Sequence, residues 1–284
     1  ATTESVSTSD IIPTGVPAIY GQALGVNYND ISASNPKLAD ETIQKLSSYE
    51  DSLTSDLIFI CLPVDDSINI FEKLADRLNA NQILTDVCGV KSVFQEIWDR
   101  KERKGFYIGG HPMTGKEKSG FENSDPLLFE NCVFILNEPA KEFPVIDSFT
   151  EIIHQLGAKI TFLNPKVHDI IVASVSHLPQ LLSVSLINSA GLKGSDINFF
   201  DYAAGGFRDM TRIASSEFNV WEPVLRENRK NIIQAIDNFI FDLEQMKKSI
   251  SNEDYKKLTD KFESARVKRD EIPKSNKGFI NQIY

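Results

Sequence analysis

The stretch SDLIFICLP, residues 55–63, is a continuous apolar run that a proline ends. Both faces of such a run must be buried, which is typical of a strand inside a parallel sheet. The next segment, DSINIFEKLADRLNA (residues 66–80), spaces its apolar residues three or four positions apart after an initial aspartate, as a capped amphipathic helix does. Together the two segments predict the start of a β-α-β unit.

The same alternation continues toward the C-terminus. Helices are predicted at about residues 91–104 and 143–156, and further strands at QILTDV (82–87), GFYIGGHP (105–112), NCVFIL (131–136) and AKITFL (158–163). Strands that alternate with helices predict an α/β fold with a Rossmann-like, mostly parallel, doubly wound sheet.

After residue 164 the pattern is helical only. Residues 167–190 form one long apolar element, predicted to bend at Pro179. A helix from about residue 217 to 250 carries a broad apolar stripe, made of Ile232, Ile233, Ile236, Phe239, Ile240, Leu243 and Met246. Such a stripe is buried either against a second subunit or inside the monomer. We therefore predict two domains, residues 1–164 and 165–284.

Composition and charge limit the classes of partner. The chain has 284 residues, 41% of them hydrophobic, and a net charge of -10. This acidity excludes a surface for nucleic acids or anionic membranes, which needs clustered lysine and arginine. Residues 170–187 are apolar enough to suggest a membrane span, but they include His177, Pro179, Gln180 and four serines. A buried helix, and no membrane partner, is the expectation.

Cysteine usage and the first residues indicate a compartment. Cys61, Cys88 and Cys132 are widely separated and odd in number, as expected for free thiols under reducing conditions. The N-terminal residues ATTESVSTSD show no basic stretch followed by an apolar one, the pattern of a signal peptide. A cytoplasmic location is expected.

Three loops follow predicted strands and so are expected at one edge of the sheet, where ligands bind in such folds. They are LPVDD after residue 61, DVCGVK (86–91) and GGHPMTGKEKSG (109–120). Their lysines, Lys91, Lys116 and Lys118, would suit an anionic substrate or a phosphate. His111 lies between two glycines and a proline, where chemistry explains a histidine better than packing does. The alternative is that these loops are ordinary strand exits.

The helical half contributes a second set of polar residues. His168 and His177 are nine positions apart, so on an unbroken helix they point to opposite sides and only one can face a given cleft. The alternative to a role in the cleft is that His177 simply packs in the hydrophobic core. Arg208 and Arg212 would share one face of a helix and could grip a carboxylate, or instead form salt bridges with nearby acidic residues.

Six blocks of this sequence stand in the order and approximate spacing of one family. They are TDVCGVK, GGHPMTGKEKSG, LFENCVFIL, HDIIVASVSHLPQLL, GGFRDMTRIASSEFNVW and ENRKNIIQAI. Over residues 55–250 the chain resembles the prephenate dehydrogenase family. The resemblance implies a nucleotide-binding domain, a helical substrate and dimerisation domain, a homodimer, and NAD or NADP as cofactor. The implied reaction is the oxidative decarboxylation of prephenate, or of its amino counterpart arogenate, in tyrosine biosynthesis.

The resemblance also assigns residues. His111 would draw the proton from the ring hydroxyl, Arg212 would bind a substrate carboxylate, and His177 would help line the same pocket. The remaining assignments are Arg208, Gly206 and Trp221 for substrate and Asn27, Pro63, Cys88 and Gly89 for the cofactor, with no metal ligand.

Two departures from the family pattern affect nucleotide binding and catalysis. Gly15, Gly21 and Gly25 do not have the spacing of a G-x-G-x-x-G loop, and Asn27 stands where an acidic ribose-binding residue is usual. Cys88 and Gly89 replace a small residue followed by serine, which removes a hydroxyl near the catalytic histidine.

Three alternatives to a working prephenate dehydrogenase follow. The N-terminus is truncated or altered, the chain is a catalytically impaired family member, or it is another nicotinamide-dependent hydroxyacid dehydrogenase. The C-terminal RDEIPKSNKGFINQIY resembles the segment that leads into a small regulatory domain, and feedback by tyrosine through that domain is not expected.

Overall fold

The structure, a computed structural model, describes residues 49–115, 125, 127–191 and 197–272. Several predicted features lie outside the described residues. They are Asn27, the three N-terminal glycines Gly15, Gly21 and Gly25, and the loop lysines Lys116 and Lys118.

A parallel sheet forms the first part of the described chain. Strands β1 (Leu57–Ile60), β2 (Ile83–Asp86) and β3 (Phe106–Tyr107) are hydrogen-bonded in that order, all parallel. Helices α1 (Val64–Ala75) and α2 (Ser92–Asp99) connect them and bury one apolar face each, through residues such as Phe71 and Phe94. These elements confirm the predicted β-α-β pattern. The pattern was predictable because the spacing of the apolar residues specifies which face of a helix is buried.

The predicted strand at residues 105–112 is in fact two strands. The chain leaves β3, continues as β4 (Gly110–Pro112) and pairs antiparallel with β5 (Val133–Asn137), which pairs parallel with β6 (Lys159–Leu163). Asn137 links the two sheets, since its side-chain oxygen accepts from the Gly109 N–H at 2.9 Å. A 3-10 helix (Glu138–Glu142) and helix α3 (Ile146–Gln155) connect β5 to β6.

The helical half begins directly after β6. Helix α4 (Pro165–Val172), a π-helical turn (Ala173–His177) and helix α5 (Leu178–Ser189) form one run, with the π turn immediately before the predicted bend at Pro179. The remaining elements are a 3-10 helix (Phe199–Tyr202), α6 (Gly205–Thr211), a 3-10 helix (Arg212–Ser215), α7 (Phe218–Glu227), α8 (Arg229–Ser251) and α9 (Tyr255–Glu271). The helix predicted over 217–250 is therefore divided at Asn228, whose backbone is not helical (φ -105°, ψ 19°).

Much of the apolar surface of the helical half is exposed on a single chain. By length and composition the run Pro165–Ser189 is apolar enough to cross a membrane. In the folded chain, 28% of its most apolar part is buried. The expectation of a buried helix is wrong for the isolated chain, because Ile170 and Val175 are exposed, whereas polar residues such as His177 are buried. Phe239, Ile240 and Leu243 of α8 are exposed as well, so the stripe is not enclosed inside the monomer.

Candidate active site

His111 lies on β4, opposite Ile135 of β5, and only 8% of its surface is exposed. Its Nδ1 atom is 2.8 Å from Nε2 of His168, the fourth residue of α4. On the other side of that ring, His168 Nδ1 is 2.8 Å from Oδ1 of Asp169. Three side chains therefore form a continuous hydrogen-bonded row, of which sequence reasoning assigned a role only to His111.

The protonation state of this row follows from its surroundings. Burial lowers the pKa of His168 and places that of His111 well below its usual value, with His168, Lys91 and His177 adding to the effect on His111. Burial acts to raise the pKa of Asp169, but hydrogen bonds from His168, Ser92 and Lys91 outweigh it and the pKa is lowered. Both histidines are thus neutral beside a charged carboxylate.

The direction of each hydrogen bond is then fixed. A carboxylate only accepts, so the proton of His168 is on Nδ1 and its Nε2 accepts from His111 Nδ1. Consequently the lone pair of His111 is on Nε2. This nitrogen can take a proton from a bound molecule.

Gly89 lies beside this nitrogen. A Cβ atom at Gly89 would be 3.8 Å from both Nε2 and Cε1 of His111, and among the described residues outside its chain neighbours nothing else would be within 4 Å. The position is where the family resemblance places a hydroxyl. A side chain at position 89 would therefore contact the His111 imidazole at ordinary van der Waals distance.

Pro63 and Cys88 flank the same edge of the sheet. Pro63 is the residue before α1, and its carbonyl accepts from the Ser67 N–H at 2.8 Å. Cys88 is buried 3.9 Å from the Leu62 carbonyl oxygen, and burial, reinforced by Asp86, raises the pKa of its thiol to about 12. The thiol therefore remains protonated near neutral pH.

A buried ion pair lies behind His111. Lys91 Nζ pairs with Asp86 Oδ1, and both side chains are almost fully buried. Asp86 also accepts from the Tyr107 hydroxyl at 2.8 Å and from the Cys88 N–H at 2.9 Å. Lys91 was expected to offer positive charge to an anionic ligand. That expectation is wrong, because its charge is already neutralised inside the protein.

The glycines before His111 serve packing. A Cβ at Gly109 would be 2.5 Å from the Tyr107 hydroxyl oxygen, and one at Gly110 would be 2.8 Å from Phe134 Cε1 and 2.9 Å from the Asp86 carbonyl oxygen. All three distances are shorter than van der Waals contact. These two glycines let the chain pass close to Asp86 and Tyr107, so access for a ligand is not the reason for them.

His177 is close to the same row of residues. Its Nδ1 atom is 3.2 Å from Asn228 Nδ2, which donates to the Asp169 carbonyl oxygen at 2.7 Å. The expectation that His168 and His177 point to opposite sides is wrong. It assumed an unbroken α-helix, whereas the wider π turn at Ala173–His177 rotates the chain less per residue.

Trp221 packs edge-on against His177, with ring centroids 6.0 Å apart. Asn228, which sequence reasoning did not single out, joins His177 to the Asp169 backbone. The available signal was a polar residue at the start of ENRKNIIQAI, one of the blocks that carry the family resemblance.

Arg208 and Arg212 are both exposed, and they do not share one unbroken α-helix. α6 ends at Thr211 and a 3-10 helix begins at Arg212. This segment is tied to α5 by a hydrogen bond from Gln180 Nε2 to the Ile213 carbonyl at 3.0 Å. Gly206 is exposed, with nothing within 4 Å of a Cβ among the described residues. The row around His111 is built from other side chains.

Two family descriptions match most of the chain. The nucleotide-binding domain of prephenate dehydrogenase matches residues 23–162, and the prephenate dehydrogenase dimerization domain matches residues 164–264. The chain belongs to the prephenate dehydrogenase family.

Individual family members agree with this assignment. A prephenate dehydrogenase of Bacillus subtilis is 29% identical over 231 residues, which are 80% of this chain and 62% of that protein. A cyclohexadienyl dehydrogenase of Zymomonas mobilis is 29% identical over 222 residues, 76% of this chain and 74% of that protein. The chain thus spans less than two thirds of the length of the Bacillus relative.

Solved structures show the same fold. Prephenate dehydrogenase from Aquifex aeolicus, in complex with hydroxyphenyl propionate and NAD+, superposes with a TM-score of 0.73 at 27% identity, covering 89% of this chain and 88% of that one. Synechocystis arogenate dehydrogenase gives a TM-score of 0.69 at 26% identity, covering 84% and 87%. The Rossmann-like sheet followed by helices is therefore the family fold.

Proposed function

We propose that this chain catalyses the NAD(P)-dependent oxidative decarboxylation of prephenate to 4-hydroxyphenylpyruvate, a step of tyrosine biosynthesis. The observation that carries the proposal is the neutral, buried His111 with its lone pair on Nε2 next to the bare Gly89. The family membership and the names of the relatives support it.

The chemistry needs one proton acceptor from the protein. When the carbinol carbon of prephenate gives up a hydride, its hydroxyl must lose a proton, and Nε2 of His111 takes it. The ring carboxylate then leaves as carbon dioxide, its bonding electrons make the ring aromatic, and the resulting phenolate oxygen takes a proton back from His111. Because aromatisation drives this step, the protein mainly orients the ring, polarises one hydroxyl and anchors two carboxylates.

The cofactor would lie along the edge of the sheet formed by the ends of β1 and β2. A bound oxidised nicotinamide would supply the hydride acceptor. We assign Gly89, Pro63 and Cys88 to this nucleotide side, together with Asn27 from outside the described residues. NAD and NADP are both compatible with these residues.

The substrate would be anchored from the helical half. Guanidinium groups bind carboxylates through paired hydrogen bonds, which suits Arg212, with Arg208 as a second candidate. Trp221 and His177 are packed together and would line the pocket, with Gly206 at its edge. The proposed domains are residues 1–164 for nucleotide and 165–284 for substrate and dimerisation.

Arogenate is the second candidate substrate. The likeness to Synechocystis arogenate dehydrogenase, which covers 84% of this chain, favours testing it. The two substrates differ in a pyruvyl or an alanyl side chain, so an assay with each separates them.

We also propose that the chain is a cytoplasmic homodimer. The exposed apolar residues of α4, α5 and α8 support it, as does the match of residues 164–264 to a dimerization domain. Sedimentation at micromolar concentration should show a dimer, and Ile240→Asp together with Leu243→Asp should convert it to a folded monomer. A monomeric wild type would overturn this part.

The function is tested by titrating the folded chain with NAD and NADP in a calorimeter, with and without hydroxyphenyl propionate, and by following nicotinamide reduction with prephenate and arogenate. His111→Asn should lower kcat by about 10²- to 10⁴-fold while ligand binding persists. His154→Asn, on the exposed side of α3, is the matched control and should turn over as wild type. A folded chain without nucleotide binding would contradict the proposal and favour a catalytically impaired family member.

A further inference from the structure

We propose that His168 and Asp169 are positioning residues that hold the proton of His111 on Nδ1 and so keep Nε2 as the proton acceptor. This inference rests on the proposed function, in which His111 removes a proton. It adds two residues to the site, both supplied by α4 of the helical half, whereas His111 comes from the sheet half.

The Asp169 carboxylate is held in place from several directions. Oδ1 accepts from the Lys91 N–H at 2.8 Å, and Oδ2 accepts from the Ser92 N–H at 2.9 Å. The carbonyl oxygen of Asp169 accepts from Asn228 Nδ2. The two backbone N–H groups hold the carboxylate in one orientation, and its Oδ1 also accepts from His168 Nδ1.

Through its two backbone contacts, Asp169 caps the N-terminus of helix α2. Lys91 precedes α2, and Ser92 is the first residue of this helix. The Lys91 side chain does not cap the helix itself. Asp169 caps α2 from a helix 77 residues further along the chain. An anion at a helix N-terminus is favoured by the unpaired N–H groups and the helix dipole. The position of the row is thus fixed by both halves of the protein.

Removal of this row would release the proton of His111. The tautomer of an imidazole is set by the hydrogen bond that its second nitrogen makes. Without an acceptor at His168 Nε2, nothing described near Nδ1 of His111 would hold the proton there, and Nε2–H would become populated. That form cannot accept the substrate proton.

Two substitutions of His168 separate positioning from packing. Gln in place of His168 keeps an oxygen able to accept from His111, whereas Leu keeps a comparable volume without one. We expect His168→Leu to lower kcat by about 10²-fold with little change in KM, and His168→Gln to recover most of the loss. Equal activity of two folded variants would overturn the proposal, because a purely structural role does not distinguish them.

Nitrogen-15 NMR of the histidine-labelled chain reads the tautomer without turnover. The chain has four histidines, so the two ring-nitrogen signals of His111 can be assigned as those that are missing from the spectrum of His111→Asn. We expect Nδ1 of His111 to carry the proton in the wild type, and Nε2 to carry it partly in His168→Leu. If the wild type carries it on Nε2, the inference is wrong even in an active enzyme. If the wild type is inactive but Nδ1 is protonated, the proposed function fails and the inference stands.

Discussion

Nδ1 of His111 and Nε2 of His168 lie 2.8 Å apart, although 57 residues separate them in the chain. One belongs to strand β4 and the other to helix α4, so the contact crosses from the sheet half to the helical half. The proton acceptor of the proposed reaction is therefore assembled where the two halves meet.

Arg212→Gln should raise KM for prephenate and leave kcat close to that of the wild type. A carboxylate anchor that acts equally in the ground and transition states contributes to binding alone. Steady-state kinetics at saturating nucleotide measures both constants, and Arg208→Gln is the companion variant. A normal KM in Arg212→Gln would remove this residue from the substrate pocket.

Gly89→Ser should restore a hydroxyl next to His111 and increase turnover. A Cβ fits there at ordinary contact distance, 3.8 Å from Nε2, so the substitution should fold without strain. A neutral hydrogen bond typically contributes about 0.5–1.5 kcal/mol. Gly89→Ala adds the Cβ without the hydroxyl and is the control. Identical rates for the two variants would mean that the hydroxyl does not act on His111.

The free energy of unfolding should decrease as the pH falls below the range in which an ordinary histidine takes up a proton. Burial lowers the pKa of His111, His168 and His177, that of His177 from 6.5 to about 4. The unfolded chain therefore binds protons at a higher pH than the folded one, and the folded state loses free energy as pH falls from 6.5 toward 4. The charged groups that act on these three histidines are Lys91, Asp86 and Asp169.

The contribution of His177 alone is on the order of 3 kcal/mol. Urea unfolding at a series of pH values measures it. His177→Gln should flatten the pH dependence, while His154→Gln, at an exposed position, should not change it. Stability that is constant over this range would show that these histidines are not buried in the neutral form.

Lys91→Met should destabilise the fold strongly. It removes the partner of Asp86 and leaves a buried carboxylate uncompensated, which typically costs about 3–5 kcal/mol. Urea unfolding followed by circular dichroism measures the loss, and Lys104→Met is the exposed control. A loss near zero would show that the Lys91–Asp86 ion pair is not needed for stability.

The sheet half was predictable because its signals are local. The runs that became β1, β2, β5 and β6 are apolar and bounded, and the helices between them repeat every three to four residues. The strand break between β3 and β4 was missed, since it depends on Gly109 and Gly110 passing Tyr107 and Phe134, which are contacts in space.

The sequence by itself determined the alternation of strands and helices, the family, and the choice of His111 at the end of a strand, because all three are carried by residue types at fixed spacing. Only the tertiary structure decided which partners His111 has. The Asp169–His168–His111 row needs a π turn, a helix start and a strand from distant parts of the chain to meet. Such long-range hydrogen bonds leave no periodic pattern in a single sequence.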